Sequence, residues 1–161
     1  MNNGLEVGLN AVLRRFAEES DRREALDTKA SLIQGFGGVL AGILFGALPD
    51  ALGQQSLTSV EPWAVIILLL GFACIVVSVG ISFSAVGIRA YRGGPGGKIL
   101  VHASRTLLRA ELEEKLLEAY ASAYQHNWKK NQRKAALLQY GFLSIGIGTA
   151  FVLVALVGFL M

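Results

Sequence analysis

The residues of this sequence that could do recognisable chemistry are basic ones, grouped immediately before an apolar run. The segment WKKNQRKAALLQY, residues 128–140, combines four cationic side chains with an aromatic indole. Lysine and arginine neutralise phosphate groups, and aromatic rings provide surfaces on which nucleotide bases stack. With two arginines upstream, this pattern predicts a site for the phosphate of a nucleotide or oligonucleotide, formed by Arg105, Arg109, Trp128, Lys129, Lys130, Arg133 and Lys134.

The same basic residues also fit a second role, which is anchoring on anionic lipid at the cytoplasmic face of a membrane. Charge balance adds an argument for the ligand site. Residues 89–136 carry ten basic and four acidic side chains, whereas residues 1–30 carry five basic and six acidic ones. The acidic N-terminal segment could therefore lie against the basic one and be displaced by an anionic ligand. Both roles stay open at this point.

Side chains that serve as nucleophiles or metal ligands are few and scattered. His102 and His126 each lack a second metal ligand at helical spacing, and Cys74 lies in the middle of an apolar run. The sequence contains no pattern typical of a serine hydrolase, a P-loop, a zinc protease or a CxxC site. We therefore predict that the protein is not an enzyme and uses neither a metal ion nor a cofactor.

Three apolar runs determine where all these residues lie. They cover residues 31–48, 63–88 and 137–161, and 53% of the chain is hydrophobic while only 17% is charged. At about 1.5 Å of rise per residue, helices of these lengths approach or exceed the roughly 30 Å hydrocarbon core of a bilayer. The predicted fold is all-α, a polytopic membrane protein with three transmembrane helices.

The polar segments between the spans are predicted from their periodicity. Residues 1–30 show the apolar stripe of an amphipathic helix, and residues 49–62 form a short external loop. Residues 89–136 form a basic cytoplasmic segment that becomes helical after GGPGG at 93–97. Because few residues separate this helix from the third span, it must either lie obliquely under the membrane or bend near residues 126–128.

The distribution of charge predicts the orientation in the membrane. All fifteen lysines and arginines lie within residues 1–30 or 89–136, and residues 49–62 contain none. Cytoplasmic loops carry the excess of basic residues in membrane proteins. We therefore expect both basic segments and the N-terminus to be cytoplasmic and the C-terminus to be external.

Small residues recur at helical spacing in every span. Such faces let helix backbones approach closely and favour association in lipid. They serve either the packing of three helices in one chain or contacts between copies in a homo-oligomer. The residues concerned are Gly35, Gly38, Gly42, Gly46, Ser78, Ser82, Gly141, Ser144 and Gly148.

Two stretches resemble a known group of proteins. The first is ESDRREALDTKASLIQGFGGVLAGIL, in which Asp27, Lys29 and Ala30 enter a glycine-rich span, and the second places Asn131, Lys134 and Leu138 before another span. Together they resemble the small transmembrane effectors of bacterial anti-phage systems, of the Pycsar and SLATT type, and the chain is similar in scale to the Hailong type of channel effector. The resemblance implies a membrane-disrupting protein that stays quiet until infection changes a nucleotide signal made by a partner nucleotidyltransferase.

These observations lead to one functional hypothesis and two alternatives. The hypothesis is a homo-oligomeric ion channel or pore of the bacterial inner membrane, a cell-death effector gated through its cytoplasmic helices by a nucleotide or oligonucleotide. The spans contain no Asp, Glu, Lys, Arg or His, which favours a weakly selective pore over a pump. The alternatives are a phage holin-like pore without ligand control and a non-conducting membrane scaffold for a cytoplasmic partner.

Overall fold

The computed structural model describes residues 3–54, 62–88 and 91–160, and all regular secondary structure within them is helical. The four helices are α1 (Asn3–Gln54), α2 (Pro62–Val86), α3 (Gly97–Thr106) and α4 (Arg109–Leu160). Three of them, α1, α2 and α4, are long and apolar enough to cross a membrane. The predicted all-α fold with three membrane-crossing helices is confirmed at this level.

The chain is divided into two compact units. The polar unit contains residues 1–26 and 88–133, and the apolar unit contains residues 27–87 and 134–161. The residue ranges of α1 and α4 extend across the boundaries between the units, so both helices take part in both units. Each of these helices contains 52 residues. A helix of that length is about 78 Å long, more than twice the thickness of the hydrocarbon core.

The end of α1 differs from the predicted end of the first span. The helix continues to Gln54 and so overlaps the beginning of the predicted loop 49–62, whose residues 55–61 lie outside the described part of the chain. Proline at position 49 suggested a stop. Inside a helix, proline removes one backbone hydrogen bond and crowds the preceding turn, yet α1 continues through Pro49 to Gln54.

The segment between the second and third spans was left with two alternative paths. The alternative with a bend near residues 126–128 does not occur, because α4 runs through these positions without interruption. No glycine or proline lies between Arg109 and Tyr140, so nothing interrupts the helix there. The chain turns earlier, at Leu107, whose backbone is extended with φ −106° and ψ 148°.

In the apolar unit, α2 packs closely against α4. A Cβ atom built on Gly71 would lie 2.8 Å from the carbonyl oxygen of Gly148, and the reverse distance is also 2.8 Å. The Ser78 hydroxyl donates to the carbonyl oxygen of Gly141 at 2.6 Å, and the Ser144 hydroxyl donates to that of Cys74 at 2.8 Å. These pairs show that α2 and α4 are antiparallel. Small residues predicted on the two spans therefore serve packing within one chain.

The glycines of α1 divide into two groups. A Cβ atom on Gly37 would lie 2.7 Å from a methyl group of Val79 and 3.3 Å from one of Ile145, so this glycine permits close packing inside the apolar unit. The four predicted positions are different. A Cβ atom would have no neighbour within 4 Å at Gly35, Gly38, Gly42 or Gly46. We call these four residues the glycine face of α1, and it is free of contacts within the described chain.

The α2–α4 crossing generates the first prediction. Gly148→Val should destabilise the protein by about 1 to 3 kcal/mol, because the added carbons meet backbone and side-chain atoms of α2. Gly146→Val is the matched control, since a Cβ atom at that position has no neighbour within 4 Å. Unfolding in mixed micelles at increasing dodecyl sulfate, followed by circular dichroism, measures both. Equal stability of the two variants would contradict the observed crossing.

Candidate functional site

The polar unit contains a buried hydrogen-bond network centred on Asn131. This side chain is 0% exposed, and its amide nitrogen donates to the carbonyl oxygen of Glu19 at 2.9 Å and to the Glu19 carboxylate at 2.7 Å. Its amide oxygen accepts a hydrogen bond from the Tyr91 hydroxyl at 2.7 Å. Buried polar groups require partners of this kind. The network therefore joins α1, the linker at residues 91–96 and α4.

The linker is held on α4 by backbone contacts. The Asn127 side chain accepts from the backbone nitrogen of Arg92 and donates to its carbonyl oxygen, both at 2.9 Å. The linker backbone also lies very close to α4 at Gly94, where a Cβ atom would lie 2.7 Å from Cζ of Tyr120. The Tyr120 ring in turn packs edge-on against Phe16 of α1, with ring centroids 5.5 Å apart. The glycine-rich linker is thus packed closely against α4 within the polar unit.

A cavity of about 230 Å³ lies where these three segments meet. The guanidinium group of Arg23 lies over the ring of Tyr91 at this site, 4.1 Å from the ring centroid. Two arginines, one carboxylate, one side-chain amide, two hydroxyl groups and aromatic surface therefore line one small space. The lining residues are Phe16, Glu19, Ser20, Arg23, Tyr91, Arg92, Gly93 and Asn127. We call this space the linker pocket.

A second polar contact joins α1 to α4 within the apolar unit. The ammonium group of Lys134 forms an ion pair with the carboxylate of Asp27. The Lys134 side chain is 1% exposed, whereas that of Asp27 is 41% exposed. A buried ammonium group is costly unless it is paired. This contact fixes where the two helices meet at the start of the apolar unit.

The structure separates the residues that the sequence suggested as one phosphate site. Lys134 is engaged with Asp27 and is not available to a ligand. Arg109 contacts Glu113 at 2.7 Å and Glu6 at 3.6 Å. The pKa of Arg109 is raised above its ordinary value, first by the hydrogen bond to Glu113 and then by the charges of Glu113 and Glu6. Its carboxylate partners therefore compete with a phosphate.

The other residues of the predicted phosphate site are separated by their positions along the chain. Arg105 belongs to α3, and Arg109 precedes Trp128 by about 28 Å along the axis of α4. Exposed side chains remain at Trp128, Lys129 and Arg133, and Lys130 is half-buried. These four residues form a basic surface on α4 that stays consistent with contacts to anionic lipid.

Sequence reasoning missed Glu19, Tyr91, Arg92, Asn127 and Asn131 as site residues. The spacing of residues on α4 did contain one signal for Asn127 and Asn131. Ala123, Asn127, Asn131, Lys134 and Leu138 recur at three- or four-residue intervals and all are buried, so the polar residues continue the inward stripe of an otherwise apolar face. Polar residues on such a stripe indicate buried hydrogen bonding. Their partners on α1 and in the linker could not be identified from spacing.

Comparison with known proteins identifies the family. A sequence model described as the Pycsar effector protein domain, PycTM, matches residues 12–161. The chain belongs to the Pycsar effector family. The Pycsar match covers nearly the whole chain, including the linker pocket and the Asp27–Lys134 pair, and confirms the resemblance stated above. This Pycsar protein is accordingly a membrane effector of anti-phage defence. No curated protein and no solved structure matches the chain.

The unequal exposure of the Asp27–Lys134 pair generates a prediction. Asp27→Asn leaves a buried ammonium group without its counter-charge and should destabilise the protein by about 1.5 to 3 kcal/mol. Lys134→Met should have a smaller effect, because water reaches the remaining carboxylate and methionine replaces most of the buried volume.

The double variant tests the mechanism. Asp27→Asn combined with Lys134→Met should recover most of the stability lost in Asp27→Asn, since no charge is then left buried. The same unfolding measurement in mixed micelles applies. Additive losses would show that the two side chains do not interact.

Proposed function

We propose that this Pycsar effector is a homo-oligomeric ion channel or pore of the bacterial inner membrane. In this proposal it causes death of the infected cell and is gated through its cytoplasmic helices by a nucleotide that a partner synthase makes during infection. The single observation that carries the proposal is the continuity of α1 and α4. Each helix takes part in the polar unit and then, without a break, in the apolar unit.

Continuity matters because a helix is a stiff connector. Within the polar unit α1 contacts α4 through Glu19 and Asn131, and within the apolar unit through Asp27 and Lys134. A ligand that changes how the two helices pack in the polar unit therefore biases the same two helices in the apolar unit. Such a two-state change in helix packing is an established way to switch a membrane protein.

Topology supports a cytoplasmic position for the polar unit. In the apolar unit, contacts proceed in the same order along α1 and α4, from Asp27 with Lys134 to Gly37 with Ile145. The two helices are therefore parallel there, and α2 is antiparallel to α4. Parallel α1 and α4 enter the membrane from the same side. The basic residues before both spans favour the cytoplasm as that side.

Assembly is supported by the glycine face of α1. Ile33 and Gly37 on the opposite side of this helix are buried, so the glycine face points away from the core of its own chain. Glycines in a membrane span permit close approach of another helix. A second copy of α1 is a suitable neighbour, and rotational symmetry then closes the assembly around a central path.

A pore lined by these helices would have little polar surface. The described serine and threonine hydroxyl groups in the spans are satisfied internally, as when Ser78 donates to Gly141, Ser84 to Gly80 and Thr149 to Ile145. No Asp, Glu, Lys or Arg occurs in residues 31–48, 63–88 or 137–161. A hydrophobic constriction that opens by wetting fits this lining better than a charged selectivity ring.

The assembly proposal predicts the effect of bulk on the glycine face. Gly42→Leu should lower the oligomeric state, because the new side chain forces neighbouring α1 helices apart, while a Cβ atom at this position has no neighbour within 4 Å among the described residues of its own chain. Ion flux through reconstituted liposomes should fall at the same time. Mass photometry in nanodiscs and a dye-based flux assay measure the two effects.

A control separates assembly from insertion. Ile43→Phe adds bulk to α1 at an exposed apolar position about a quarter turn of the helix from the middle of the glycine face, and should leave oligomeric state and flux unchanged. An unchanged oligomer in Gly42→Leu would contradict assembly through this face. Flux that requires no ligand would favour the holin-like alternative, and a stable oligomer that never conducts would favour the scaffold.

A further inference from the structure

The short helix α3 carries nitrogen-bearing side chains on its outer side. It contains no buried residue. Lys98, His102 and Arg105 are exposed and line one depression on its surface. Within the described residues, none of these three side chains forms an ion pair. We call them the basic face of α3, and their hydrogen-bond donors are available to carboxylates outside this helix.

The first turns of α4 carry the opposite charge. Glu111, Glu114 and Glu118 are exposed and recur at three- and four-residue intervals, so they lie on one side of the helix. No ion pair involves them in the part of the chain that the structure describes. Even with the exposed Lys115 beside them, this side of α4 is negatively charged. We call the three glutamates the acidic face of α4.

The two faces have the same spacing when their helices run in opposite directions. Along α3, from Lys98 onward, successive members of the basic face are four and then three residues apart. Along α4, read backwards from Glu118, the members of the acidic face are also four and then three residues apart. Each face is therefore about 10.5 Å long. Antiparallel alignment pairs Lys98 with Glu118, His102 with Glu114 and Arg105 with Glu111.

The fold places both faces at the same height along α4. Gly94 of the linker lies against the Tyr120 ring, and the chain rejoins α4 at Arg109, so α3 runs antiparallel to α4. The length of α3 is about 15 Å, and Tyr120 lies about 16.5 Å from Arg109 along α4. Rotation about an axis parallel to α4 preserves this height. The basic face of one copy can therefore meet the acidic face of the next copy in register.

We infer that α3 of one copy docks on α4 of the next copy, with the basic face against the acidic face. This inference rests on the proposed function, because it adds a cytoplasmic contact to the homo-oligomer. Each copy uses two different surfaces, and such a heterologous contact forms a ring when the rotation closes. The contact also covers Val101, an apolar side chain of the same depression that is 53% exposed.

The contact acts mainly on specificity. Exposed ion pairs contribute little to stability when they are isolated. Complementary charges nevertheless determine which surfaces pair and in which register. The charge ladder therefore aligns the polar units of neighbouring copies, while close packing in the membrane supplies most of the association.

Disulfide cross-linking between copies tests the register. Two chains with different affinity tags, each with Cys74→Ser and one new cysteine, are co-expressed and purified in nanodiscs. Lys98→Cys in one chain should cross-link to Glu118→Cys in the other. It should cross-link far less to Glu111→Cys, which is displaced by about 10.5 Å along α4. Chains with the same new cysteine should not cross-link to each other, because the contact is heterologous.

A matched control uses the other side of α3. Arg105→Cys should cross-link to Glu111→Cys in the second chain. Ser104→Cys lies at an adjacent exposed position outside the basic face and should not cross-link to the same partner. Equal cross-linking of the two variants would overturn the docking of this face.

Exchange of charges tests the interaction itself. Arg105→Glu and Glu111→Arg should each lower the ratio of oligomer to monomer in micelles about two- to fivefold per contact, which is the size expected for an exposed ion pair. The two changes in one chain should restore the ratio. Arg15→Glu, at an exposed position of α1, should leave it unchanged. Mass photometry measures the ratio, and circular dichroism checks that every variant keeps its helical content.

The outcomes separate this contact from the proposed function. An oligomer that conducts but shows none of the cross-links would overturn the contact and leave the channel in place. Cross-links in register without ion flux would support the contact and contradict the channel. Arg105→Glu that lowers binding to phosphatidylglycerol vesicles without changing assembly would assign the basic face to lipid and overturn the contact. A chain that is monomeric under every condition would overturn both the contact and the homo-oligomer.

Discussion

Buried polar side chains on α4 need hydrogen-bond partners, and this need determines how α1 and the linker pack against α4. Asn131 and Lys134 are fully buried on α4, and in such an environment an unpaired amide or ammonium group is strongly unfavourable. Glu19 and Asp27 of α1 supply the partners. These contacts determine the register of α1 against α4 within each unit. The linker is part of the same constraint, since Tyr91 completes the bonding of Asn131.

The glycines of this effector fall into two groups. Gly71 and Gly148 allow α2 and α4 to touch through their backbones, and Gly37 makes room for Val79. These positions stabilise one chain, and in lipid such packing matters because the hydrophobic effect does not drive helices together there. A Cβ atom built on any residue of the glycine face of α1 has no neighbour within 4 Å among the described residues.

Much of the fold could be predicted from the sequence, because long apolar runs and charge asymmetry report directly on membrane helices. The break at Leu107 could not be predicted, since neither glycine nor proline accompanies it. The site residues were harder to predict than the fold, and the reason is physical. Basic residues before a span suggest phosphate binding, but Lys134 is neutralised by Asp27, 107 positions away in the sequence. Long-range pairing of this kind is not visible in local spacing.

Ligand-dependent conduction is the property that defines the proposed channel. The most direct measurement is ion flux through liposomes that contain the purified chain, recorded with and without each 3′,5′-cyclic mononucleotide. We expect that at least one nucleotide changes the flux while the protein stays inserted and oligomeric. An inserted oligomer whose flux is zero under every condition would contradict the channel. Flux that is the same with and without every nucleotide would contradict gating through the helices.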